Sequence, residues 1–133
     1  MSDPTPPAAT LFDTLGGADG VRALVDRFYT LMDTLPEAAV IRAMHPADLT
    51  ESADKLYEFL SGWAGGPPLY VAKRGHPRLR GRHMPFAVDT SAATAWMLCM
   101  TQALDEQVPD PALRLRLQES LTRVALHMRN RPG

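Results

Sequence analysis

The chain has 133 residues, 45% hydrophobic and 22% charged, the size and composition of one folded domain, which excludes a disordered or membrane-embedded chain. Fourteen Lys and Arg nearly cancel fifteen Asp and Glu, so charge gives no case for a nucleic-acid partner. The single cysteine, Cys99, excludes an internal disulfide framework and suits a cytoplasmic location, and no apolar run is long enough to span a membrane.

The opening MSDPTPPAAT is Pro-rich and lacks the basic-then-apolar pattern of a signal peptide. It reads as a disordered leader over 1–10, with the folded domain over 11–130. Val21, Leu24, Val25, Phe28, Leu31 and Met32 recur at spacings of three and four, predicting a helix between Gly20 and Leu35. Pro36 stands where a new helix starts, and Ala39, Val40, Ala43 and Met44 continue a short one. Asp48 with Glu51 resembles a capping box, opening a helix with Ser52, Leu56, Phe59, Leu60 and Trp63 on one face. Gly65-Gly66-Pro67-Pro68 breaks it.

Leu69 to Val88 is weakly regular and basic, with room for at most one short helix, about Pro77 to His83. Such a long irregular stretch inside a compact domain often serves function. Strong helical periodicity returns from about Ser91 to Glu106, with Trp96, Cys99, Met100, Ala103 and Leu104 inward. Asp110-Pro111 then caps and starts a last helix, whose stripe is Leu113, Leu117, Leu121, Val124 and Met128. No segment alternates at period two, so the fold class is all-α.

The four histidines, His45, His76, His83 and His127, have no Cys or carboxylate at zinc-site spacing. There is no phosphate loop and no nucleophile elbow. Taken alone, Tyr29 and Trp96 are large residues on apolar stripes and read as core. From composition and periodicity the reading ends at a soluble helical domain.

Four stretches carry it further. Gly75-His76-Pro77-Arg78-Leu79-Arg80-Gly81-Arg82-His83-Met84-Pro85-Phe86 resembles the proximal segment of group II truncated haemoglobins. So do Phe28-Tyr29, Gly65-Gly66-Pro67-Pro68-Leu69-Tyr70 and Ala95-Trp96-Met97-Leu98-Cys99-Met100, in the same order and over nearly the whole chain. The resemblance implies a two-over-two helical sandwich around haem b, with the irregular segment making room for the macrocycle.

In that resemblance His83 matches the proximal iron ligand, its second ring N–H needing an acceptor to fix the ring. Pro85 would end the ligand's short helix. Tyr29, His45 and Trp96 match the polar distal positions, where an O–H or N–H donor stabilises a polarised diatomic ligand. His45 adds a titratable group, so ligand release is expected to vary with pH near 6–7. Ser52 faces the ligand as a small residue, and Leu56 and Phe59 form apolar walls over the haem plane. Lys55, Tyr70 and Arg82 are the candidates for the haem propionates. Lys73, Arg74, Arg78 and Arg80 read as solvated surface charges, Cys99 as a small core residue, and His76 and His127 take no role.

The implied function is reversible binding of O2, and of NO and CO, with slow release that suits storage, scavenging or sensing better than bulk oxygen transport. The alternative is a haem-based redox enzyme, a nitric-oxide dioxygenase or a peroxidase-like activity, served by an unidentified reductase. A third reading keeps the fold without haem, as a helical interaction domain. No nucleic acid and no membrane are expected as partners, and the chain is expected to be a monomer or a homodimer.

Overall fold

A computed structural model describes residues 10–76 and 88–130. Every regular element among them is helical: α1 (Leu11–Thr14), α2 (Gly17–Thr34), a 3-10 turn (Pro36–Ala38), α3 (Ala39–Ala43), α4 (Thr50–Trp63), α5 (Leu69–Arg74), α6 (Thr90–Gln107) and α7 (Pro111–His127). None of these helices is long and apolar enough to cross a membrane. The predicted helix at Pro77 to His83 lies outside the described residues.

Four long helices make the body, with α6 packed on both α2 and α7, and α2 also packed on α4. The stripe expected on α2 is the one that is buried: Val21, Leu24, Val25, Phe28, Leu31 and Met32 are all 3% exposed or less. Cys99, Met100, Ala103 and Leu104 of α6 and Leu117 and Leu121 of α7 close the same core. Cys99 is a buried core residue, as expected. Each fully buried Phe or Leu removes enough apolar surface to contribute about 2 kcal/mol.

The ends of the helices follow local chemistry. Asp89 accepts from the Ala92 N–H at 2.8 Å, and Asp110 from that of Ala112 at 3.1 Å. The box expected at Asp48 and Glu51 does not form. Asp48 accepts from the Thr50 N–H at 2.9 Å, but it stands two residues before the helix and nothing returns from Glu51. Thr10 and Asp13 make a complete box at α1 instead.

The α4 terminus shows why two glycines stand there. Gly65 has φ +87°, and the Gly66 and Gly65 N–H groups donate to the Ser61 and Gly62 carbonyls at 2.8 and 3.0 Å, the pattern of a Schellman motif. Phe12 then lies on Gly66, where a Cβ would meet its ring at 2.4 Å. At the chain's other end Asn130 is paired with Val88, donating from its N–H at 2.7 Å and accepting through its amide oxygen at 2.9 Å.

Among the described residues Gly20 is the least replaceable glycine. A Cβ there would stand 1.8 Å from the Leu15 carbonyl oxygen, a backbone atom that cannot turn aside. Gly20→Ala is expected to lower stability by about 2 kcal/mol or more through this overlap. Gly62→Ala, with only ordinary contact at 3.4 Å inside α4, is expected to be neutral or to stabilise by up to about 1 kcal/mol through helix propensity. Paired denaturant titrations check the contrast.

Candidate functional site

Phe28 is the hub of the aromatic cluster. Its ring is fully buried, 4.9 Å from Tyr29 in an edge-on contact and 5.0 Å from Trp96 across the α2–α6 interface. Tyr29 in turn meets His45 edge-on at 5.9 Å. Of the three residues expected on the distal side, Tyr29 on α2 and His45 after α3 are in ring contact, while Trp96 on α6 is joined to Tyr29 through Phe28.

Two hydrogen bonds orient the polar members. His45 Nδ1 is 2.8 Å from the Ile41 carbonyl oxygen. A carbonyl can only accept, so Nδ1 carries a hydrogen and donates. The Tyr29 hydroxyl donates to the Ser52 main-chain carbonyl at 3.3 Å, long for an O–H···O bond and easily exchanged for a better acceptor. Ser52 thus enters the cluster through its backbone. Burial pushes the Tyr29 phenol far above its ordinary value near 10, because the phenolate would be stranded away from water. Tyr29 stays a neutral donor throughout the physiological range.

The neighbouring apolar surface is unusual in being half covered. Leu56, Phe59 and Trp63 of α4 and Ala95, Trp96 and Met97 of α6 pack on the core yet remain partly exposed. Ser52, Leu56, Phe59 and Trp63 share one face of α4 at steps of three and four. Half-covered aromatic and aliphatic walls beside a neutral O–H donor fit a flat, largely apolar cofactor that presents a polar ligand. These residues fit haem.

A family model described as bacterial-like globin matches residues 10–130. The group 2 truncated hemoglobin YjbI of Bacillus subtilis strain 168 is 40% identical over 114 residues, 86% of this chain and 84% of its own. The chain belongs to the group II truncated haemoglobins. The solved group II 2-on-2 hemoglobin of Agrobacterium tumefaciens superposes with a TM-score of 0.91 at 45% identity, covering 98% of this chain and all of that one. The truncated oxygen-avid haemoglobin of Bacillus subtilis gives 0.83 at 37% identity, covering 92% and 100%. As a truncated haemoglobin the chain is a member of a haem-based, gas-binding family.

Not all expected site residues are brought together. His83 and Arg82 lie outside the described residues. Lys55 is exposed and pairs with Glu51 at 3.3 Å on its own helix. Tyr70 is buried on α5, a short helix that was not expected; periodicity over six residues is too brief to register. Arg74 corrects an expectation. It is not a solvated charge but donates from Nε at 2.8 Å to Glu58, whose side chain is 8% exposed. Lys73 is largely exposed, though its Nζ is 3.3 Å from the same carboxylate. Glu58 itself was missed: among exposed-looking polar residues on α4, a carboxylate gives no sign of its burial before its partner is known.

Because the folded protein keeps the Tyr29 proton and the unfolded chain loses it near 10, stability is expected to fall as pH rises past that value. Tyr29→Phe should flatten this alkaline limb while costing less than about 1 kcal/mol at neutral pH, since the lost bond is long. Urea midpoints between pH 7 and 11 for both proteins check the sign.

Proposed function

We propose that this chain binds haem b through His83 and reversibly holds O2, and also NO and CO, in a pocket whose donors are Tyr29 and Trp96, with His45 supporting Tyr29. Haem, when bound, supplies an iron with an open coordination position for a diatomic ligand. The observation that carries the reading is the convergence of Tyr29, His45 and Ser52 beside the half-covered walls of Leu56, Phe59 and Trp96.

Each residue has a definable task. Tyr29 brings a neutral O–H whose resting partner is weak, so turning toward a polarised ligand costs little. The indole of Trp96, held against Phe28, brings an N–H. His45, with Nδ1 committed to Ile41, abuts the Tyr29 ring and limits its sway. Leu56 and Phe59 exclude water from the walls, which strengthens every hydrogen bond inside. Lys55, Tyr70 and Arg82 are the groups assigned to the propionates. Two donors, each worth about 1–2 kcal/mol, would together slow ligand escape by roughly one and a half to three orders of magnitude. A relative described as oxygen-avid is consistent with slow release, and storage, scavenging or sensing in the cytoplasm follows.

A redox reading draws on a separate observation. Tyr29, Phe28 and Trp96 form a continuous ring contact at 4.9 and 5.0 Å, and both polar members are oxidisable side chains. Sustained consumption of NO with a reductant present supports this reading, whereas a single burst without re-reduction counts against it.

Reconstitution with haem should produce a Soret band, and His83→Ala should abolish the five-coordinate ferrous spectrum. Tyr29→Phe and Trp96→Phe are each expected to speed O2 dissociation by about fivefold or more. Stopped-flow rates identical to wild type in both variants would sink the donor assignment.

A further inference from the structure

Helix α5 has six residues, far too few for an isolated helix to hold in water. It lies between Pro67-Pro68 and Gly75, whose φ of +82° turns the chain out of the helix. Its position is therefore decided by what its side chains touch. Tyr70 is buried. Arg74 grips Glu58 of α4 with two nitrogens, Nε to Oε2 at 2.8 Å and Nη2 to Oε1 at 3.4 Å.

Glu58 is 6% exposed, the one buried charged side chain among the described residues. The Arg74 guanidinium holds its carboxyl below the usual range, with help from Lys73. At about 100° per residue, Glu58 stands roughly 100–160° around α4 from Ser52, Leu56 and Phe59, off the face they share. Its polar partners are Arg74 and Lys73 of α5, and nothing in the gas-binding chemistry uses it. Burying a charge is costly unless it is paired, and a two-pronged guanidinium–carboxylate contact accepts one geometry where an apolar contact accepts many.

We infer that Glu58 is a positioning residue for the cofactor: through Arg74 it clamps α5 to the back of α4. The clamp sets Tyr70 in place and fixes where the chain departs, nine residues before His83, and so governs how tightly haem is retained. The inference rests on the haem reading above.

Haem loss from the reconstituted full chain to an excess of a haem-free acceptor globin is the measurement. Glu58→Gln keeps the shape and removes the charge, and Arg74→Met removes the guanidinium while the Lys73 ammonium stays 3.3 Å from the carboxylate. Each is expected to raise the haem-loss rate by about fivefold or more. Arg74→Lys should recover only part of the difference, because an ammonium restores the charge but not the two-pronged geometry. Glu106→Gln is the control. It breaks the exposed bidentate pair that Arg27 makes between α2 and α6, and it should leave haem loss within about twofold of wild type, as surface pairs contribute little. Haem loss unchanged in Glu58→Gln, or raised equally in Glu106→Gln, overturns the inference. So does Arg74→Lys losing haem as fast as Arg74→Met. A wild-type chain that takes up no haem overturns both this inference and the function on which it rests.

Discussion

The contact of Phe28 with Trp96 across α2 and α6 is the interaction on which the rest depends. Phe28 is wholly buried and lies between Tyr29 and Trp96. Because aromatic pairs at such distances prefer definite tilts, the contact sets rotation as well as separation of the two helices. The same ring that closes the core therefore aims the phenol and the indole. Core packing and ligand chemistry are one construction in this region, and a change of volume at Phe28 would be felt in both.

Around that contact the chain economises on regular structure. Besides the long helices it uses a four-residue helix, a 3-10 turn, a five-residue helix and a six-residue helix. None of these is stable alone, and each is held by specific side-chain or backbone bonds. Phe12 donates its N–H to Ala64 at 2.9 Å and stacks on Gly66. Arg42 on α3 donates to Asp33 at 2.8 Å and to the Pro46 and Ala47 carbonyls. Arg74 holds α5 through Glu58. Among the described residues, Leu56, Phe59 and Trp63 of α4 and Ala95, Trp96 and Met97 of α6 stay half covered.

Polarity within this arrangement is sparingly used. Tyr29 remains protonated because burial disfavours its anion, and its one bond is long. Glu58 remains ionised because a guanidinium sits beside it. Tyr29 and Glu58 are thus held in opposite states by opposite causes, desolvation in one and a cationic partner in the other. A neutral donor suits a site for an uncharged diatomic molecule, while the ion pair belongs to the scaffold behind it.

What could be read from residues alone was whatever depends on short-range order. The stripes of α2, α6 and α7, the Asp110-Pro111 start and the Gly-Gly-Pro-Pro stop follow from helical period, capping and φ preferences, which act over a few residues. The group II truncated haemoglobin assignment was likewise legible, because its motifs are contiguous words. Tertiary structure decided what those words do to one another. Only the fold could bring His45 onto Tyr29 and Trp96 onto Phe28, and direct the Tyr29 hydroxyl to the Ser52 carbonyl rather than its side chain. Only the fold could turn Arg74 from a surface charge into the partner of a buried carboxylate and make a helix of Leu69–Arg74. The reason is physical: a side chain's burial and its partner are properties of the space between elements distant in sequence, and no local pattern carries them.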